Sequence, residues 1–199
     1  MPSPLPTLPD SALAVAADEL LTTCSPPPLV NHCRRTYLFG TALLESRHRP
    51  YDAEALYVAA MLHDLGLTEL WGDEVTPFEQ RGALVAEITM LERGASPRFA
   101  GLVRDAIALH LELDTAKDPR PEVAGVHLGA AVDVLGLRLD QLPKDLVADV
   151  LDGLPRLGLK DLLTTVLRHE AEAKPTSRIA GHVAQLDFVR LVAAAPFDG

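Results

Sequence analysis

Alanine and leucine recur at three- and four-residue spacing along most of the chain, and β-branched residues are scattered. That period favours helices over strands throughout, so the expected fold class is all-α. The first two helices are predicted over residues 11–21 and 28–47, separated by the break Ser25-Pro26-Pro27-Pro28. Pro50-Tyr51-Asp52 opens a third, with Asp52 as N-cap and an end near Gly66. Thr76-Pro77-Phe78-Glu79 reads as a capping box with Pro77 at the first helical position, and Gly94 marks the far end of that helix. Ser96-Pro97 starts a helix running to about Leu111, and a loop over residues 114–119 leads to another over 121–135, closed by Gly136. Pro143 and Ser177 open two later boundaries, and the tail after Ala193 is expected to be loose. No repeat or composition shift divides the chain, so residues 1–199 are expected to form a single domain.

Composition narrows the class. With 199 residues, 48% hydrophobic and only 5% aromatic, the chain can bury a real core. Apolar stretches free of formal charge, such as residues 55–63 and 123–132, fall well short of the roughly 20 apolar residues of a membrane span. Residues 1–10 carry no positive charge, and Asp18 and Glu19 interrupt any signal core, so a cytoplasmic protein without export signal or membrane partner is expected. Twenty-eight acidic against eighteen basic residues give a net charge of −10, which opposes non-specific binding to nucleic acid. Cys24 and Cys33 are too few for a disulfide framework and read as reduced thiols.

One constellation stands above this background: His32 in an early helix, the adjacent His63-Asp64 near the end of another, and Asp133 in a third. Two imidazoles and two carboxylates suit zinc, iron, manganese or related divalent ions and leave room for a water. Such a water is acidified by the ion and becomes a nucleophile near neutral pH. Adjacent helical side chains diverge by about 100°, so His63 and Asp64 reach one ion only if it lies close to the helix surface. The pair is flanked by Leu56, Ala59, Ala60, Leu62 and Leu65, and Asp133 lies in an apolar run, both positions where a core residue is expected. Gly129, one turn before Asp133, leaves space for something to approach. A buried carboxylate needs a cation or donors. A lone His-Asp dipeptide also arises by chance in structural roles; it is the ordered set, each member on its own apolar helix, that favours a metal site.

Several blocks extend the pattern: residues 31–37 (Asn-His-Cys-Arg-Arg-Thr-Tyr), 59–66 (Ala-Ala-Met-Leu-His-Asp-Leu-Gly), 78–83 (Phe-Glu-Gln-Arg-Gly-Ala), 105–110 ending in His110, and 122–136 around Asp133. Together they resemble the HD-domain superfamily of metal-dependent hydrolases, in particular its cyanamide hydratase-like branch, over about residues 29–137. The resemblance implies an HD-type helical bundle completed by the N- and C-terminal helices, with His32, His63, Asp64 and Asp133 as ligands of one divalent metal, zinc or iron. It does not fix the substrate, because one scaffold hosts several chemistries.

The remaining candidates surround that set. His110 is placed to face the pocket, shuttling a proton or holding substrate beside Asp64, or else to sit favourably at a helix C-terminus. His127 lies six residues before Asp133, about 120° away on a regular helix, and suits a structural role or one behind the ligands. Were His110 and His127 both ligands, the site would resemble dinuclear members of the superfamily, whose lysine three positions after the aspartate is here Leu67. Arg35 shares a face with His32 and could pair with Asp64 or Glu79 or reach an anionic substrate, whereas Arg34 is expected in solvent. Cys33 stands where many relatives carry a small hydroxyl residue. Glu79 is explained by the capping box, though by resemblance its segment borders the pocket. Thr68, Trp71 and the loop 72–76 could form a pocket wall or lid, with Trp71 equally a core anchor, and His48, His169 and His182 are expected at the surface.

Three functions compete. The leading one is a hydrolase or hydratase whose metal activates water for attack on a small nitrile-like substrate such as cyanamide. A phosphohydrolase is the alternative within catalysis; Arg34, Arg35 and Arg81 could supply phosphate donors, but there is no glycine-rich phosphate loop. A ligand-binding module without turnover is the third. The expected partner is a small-molecule substrate, and a homodimer is compatible with every option.

Overall fold

The computed structural model describes residues 7–197, and among these it contains ten α-helices, three short 3₁₀ turns and no strand. The helices are α1 (Ala12–Cys24), α2 (Pro27–Ser46), α3 (Ala53–Leu62), α4 (Phe78–Glu92), α5 (Pro97–Ala108), α6 (Pro121–Leu135), α7 (Lys144–Gly153), α8 (Leu159–Ala173), α9 (Arg178–Leu186) and α10 (Phe188–Ala193). The 3₁₀ turns are Leu65–Leu67, Leu113–Lys117 and Leu139–Gln141. The fold is all-α, as the spacing of apolar residues implies. No described helix is long and apolar enough to cross a membrane. Expectations for residues 1–6 and 198–199 lie outside the described residues.

Local chemistry sets several helix ends. The side chains of Ser11, Asp52, Ser96 and Ser177 accept hydrogen bonds from the third residue on, at 3.1–3.2 Å, and so satisfy otherwise orphaned N–H groups. Gly136 closes α6 with φ 72°, a left-handed conformation that glycine adopts without penalty. The capping box at residues 76–79 does not form. Helix α4 begins at Phe78 after an extended Pro77, with no side-chain cap, and the Asp73 carboxylate takes the N–H groups of Val75 and Thr76 instead.

The core is built around α3. Every residue from Ala55 to Leu62 is buried, in keeping with a helix apolar on all sides, and α3 packs against α1, α2, α5 and α6. The most extensive helix pair is α2 with α6. Glycines let the two backbones meet: a Cβ on Gly129 would collide with the Thr36 carbonyl, and one on Gly40 with the Gly125 carbonyl. The space expected at Gly129 is thus filled by the α2 backbone. A second apolar cluster joins α8, α9 and α10 through Leu159, Leu163, Leu167, Ile179 and Val192, and docks on Leu29 and Phe78.

Of the tail expected to be loose, the described residues 194–197 are packed onto the fold. Pro196 covers Gly136, and the buried Phe197 ring receives the Arg156 guanidinium at 4.5 Å.

Candidate metal centre

Helix α3 stops one residue before the pair that matters. Leu62 is its last residue, His63 is the C-cap, and Asp64 (φ −105°, ψ 11°) leads into the turn Leu65–Leu67. The helix therefore does not extend to Gly66 as expected, and Asp64 departs from the regular helical dihedrals assumed for the pair. Gly66 is where this turn presses on the start of α4: a Cβ there would strike the Phe78 carbonyl.

His32, His63 and Asp64 are buried and converge. His32 Nε2 lies 3.2 Å from His63 Nε2, and Asp64 Oδ2 lies 3.4 Å from each. His110 Nε2 lies 3.9 Å from Asp64 Oδ1, and its ring meets that of His63 edge-on at 5.1 Å.

The far side of each ring decides what these atoms are. His32 Nδ1 donates to Asp133 Oδ2 at 2.7 Å, His63 Nδ1 to the Ala60 carbonyl at 2.8 Å, and His110 Nδ1 to the Ile107 carbonyl at 2.6 Å. All three partners are acceptors, so the proton of each neutral ring sits on Nδ1 and the lone pair on Nε2 faces the cluster. With both rings neutral, two imidazole lone pairs and a carboxylate oxygen face one another at 3.2–3.4 Å, and a cation satisfies all three. The residues present therefore fit a divalent metal of intermediate softness, with Nε2 of His32, Nε2 of His63 and Asp64 as donors.

The electrostatics separate His32 from the other two rings. Burial pushes His63 down, and burial with the neighbouring His63 pushes His110 down to about 3, so both rings are neutral at pH 7. Burial also opposes the charge of His32, but its hydrogen bonds to Asp133 and Asp64 outweigh it and raise its pKa, so the two carboxylates favour positive charge at this ring. Asp64 is held well below the carboxylate range, because His63 and His32 overcome the penalty of burial.

Asp133 is not part of the cluster. Its fully buried carboxylate is taken by Arg35 (Nε to Oδ1 2.7 Å, a second guanidinium N–H to Oδ2 2.9 Å), by Arg156 at 2.8 Å and by His32 Nδ1. It stands behind His32 and fixes that ring, the arrangement of a carboxylate supporting a metal-ligating histidine. Arg35 accordingly pairs with Asp133 rather than with Asp64 or Glu79, because α2 and α6 lie so close.

The other sequence candidates are distributed around this centre. His127 donates from Nδ1 to the His110 carbonyl at 2.8 Å, steadying the segment that carries His110. Thr68 is buried and donates to the Leu65 carbonyl, and neither it nor Trp71 lines the cavity described below. Glu79, released from any capping role, is buried with Oε2 unpaired among the described residues, and burial raises its pKa. Arg34 is not simply solvated: it forms a bidentate pair with Asp18. Cys24 and Cys33 are both free thiols.

A cavity of about 280 Å³ opens from His32, His63, Asp64 and His110 and runs outward between α6, α8, α9 and α10. Two buried residues of this region, His182 at the cavity and Arg156 behind the centre, escaped the sequence reading. His182 is buried rather than at the surface, donating from Nε2 to the Leu111 carbonyl at 2.7 Å. The signal was present, since Ile179, His182 and Leu186 share one face of α9. Arg156 follows Pro155 in an irregular segment and had no such signal.

The chain is thus an all-helical protein with a buried His-His-Asp group able to hold a metal ion. No family model matches it. It is similar to two proteins of Saccharomyces cerevisiae, cyanamide hydratase DDI2 and cyanamide hydratase DDI3. With each it is 25% identical over 177 residues, covering 85% of this chain and 76% of the relative.

Proposed function

We propose that this chain is an HD-type metal-dependent hydratase that adds water to a nitrile-like carbon, with cyanamide as the reference substrate. The observation that carries the reading is the convergence of three buried ligand atoms within 3.2–3.4 Å of one another at the head of a cavity. The similarity to the two yeast cyanamide hydratases supports it.

His32, His63 and Asp64 would hold the metal, zinc or iron, with Asp133 keeping His32 in the ligating tautomer. A divalent ion bound there supplies Lewis acidity that brings the pKa of a water near neutrality. His110 Nε2, an acceptor at pH 7, orients the attacking water and takes its proton. In the overall reaction the water oxygen bonds to the nitrile carbon as one C–N π bond opens. One water proton reaches the nitrile nitrogen, and the second follows from oxygen to nitrogen, converting cyanamide and water into urea.

The phosphohydrolase alternative draws little support. Arg34 is paired with Asp18, Arg35 with Asp133 and Arg81 with Asp73, none of the three lines the cavity, and Arg138 is the single cationic residue among its described lining.

Elemental mass spectrometry on protein purified without chelator, together with a urea assay, tests the reading. About one equivalent of metal, absent from Asp64→Ala, and urea formed from cyanamide are the expected results. No bound metal after reconstitution would leave a binding module, and phosphate release from nucleotides in place of urea would overturn the hydratase.

A further inference from the structure

The cavity is far larger than cyanamide. At about 30 Å³ for each water-sized unit, 280 Å³ corresponds to roughly nine such units, whereas cyanamide has three non-hydrogen atoms. A surplus of this size beside a reactive centre would ordinarily hold water, yet the walls are unsuited to it. Beyond the histidine cluster they are formed mostly by apolar residues such as Val134, Leu163, Leu167, Ile179 and Phe188, with His127, Arg138 and His182 as the other polar lining residues, and so give a water few hydrogen-bond partners.

The entrance has the same character. Leu113, Leu137, Leu186 and Leu191 come from four separate segments, all line the cavity, and are 42–68% exposed. Four large leucines gathered at one opening on the surface of an acidic chain form an apolar patch that marks a binding function. The metal-ligand candidates at the inner end and the predominantly apolar walls and rim at the outer end describe an elongated ligand with a small reactive head and an aliphatic body.

We propose that the substrate is a nitrile-type compound bearing an aliphatic substituent of about six to eight carbons, such as an N-alkylcyanamide, rather than cyanamide itself. The inference rests on the hydratase reading for the head group and on the cavity alone for the body. An N-alkylcyanamide and one water give an N-alkylurea by the same proton accounting as above, with no further reactant.

The test uses the full-length, metal-loaded protein and two readouts. Calorimetry measures the affinity of N-alkylureas from methyl to decyl, and turnover measures kcat/KM for cyanamide and the matching N-alkylcyanamides. Affinity should rise about fourfold for each added methylene and level off near eight carbons, the gain for burying a CH₂ group. In Ala131→Leu, which adds bulk to the α6 wall, the plateau should move to shorter chains, with far-UV circular dichroism confirming the fold. A flat affinity series overturns the proposal even if cyanamide is hydrated, and leaves the rim leucines as a surface for a second copy of the chain. A rising series without hydration of any member overturns the hydratase reading while the apolar subsite stands.

Discussion

Asp133 shows how much one carboxylate can organise. His32 and Arg35 reach it from α2 and Arg156 from the segment between α7 and α8, and it is fully buried. Removing it in Asp133→Ala leaves two guanidinium groups without their counter-charge, so urea unfolding at pH 7 should show a loss of about 3–5 kcal/mol. Asp133→Asn keeps an acceptor for His32 Nδ1 but loses its charge. Its metal affinity, measured by chelator competition, should fall by about ten- to a hundredfold, as for other groups that support a ligating histidine. Complete loss of metal in the asparagine variant would instead make Asp133 a ligand. His110 separates binding from chemistry in the same way. His110→Ala should keep its metal while cyanamide turnover drops by about 10²–10⁴-fold, the range for a missing proton-transfer group. Loss of metal in that variant would move His110 into the ligand set.

At the scale of the helix, the contact of α2 with α6 sets the distance between His32 and Asp133. Gly129 sits on the Thr36 carbonyl, one turn from each of those residues on its own helix. In an exposed helix Gly→Ala stabilises by about 1 kcal/mol. Here the added methyl has backbone in its way, so Gly129→Ala should destabilise by about 1–3 kcal/mol and weaken metal retention, a reversal of sign that thermal unfolding detects. Elements like this also mark what the sequence can reveal. Helix starts at Asp52, Ser96 and Ser177 and the stop at Gly136 were legible because cap chemistry is local. So were His32, His63 and Asp64, polar residues where the period calls for core. The early end of α3 was not, because a tertiary contact between Gly66 and Phe78 decides it. The pairing of Asp133 with Arg35 and Arg156 was equally hidden, since it depends on how closely two helices approach and where an irregular segment passes.

The whole molecule divides its labour between two apolar clusters. The larger one holds α1 to α6 with part of α7, and the three donors come from α2 and the end of α3 within it. The smaller cluster, in α8 to α10, supplies the outer walls of the cavity and none of the three donors. Metal binding and substrate enclosure should therefore separate. Ile179 is fully buried in the smaller cluster, and an unpaired carboxylate there is costly enough to release α9 from α8 and α10. Ile179→Asp should retain close to one equivalent of metal and most of its helical signal, while limited proteolysis cuts within residues 157–197 and alkylurea binding is lost. Were metal lost along with ligand binding, the C-terminal helices would be holding the centre together, most directly through the Arg156 to Asp133 bond. Arg156→Met, which removes that bond and keeps most of the side-chain volume, distinguishes the two: metal retention in Arg156→Met but not in Ile179→Asp would place the dependence on the packing of α8 against α2.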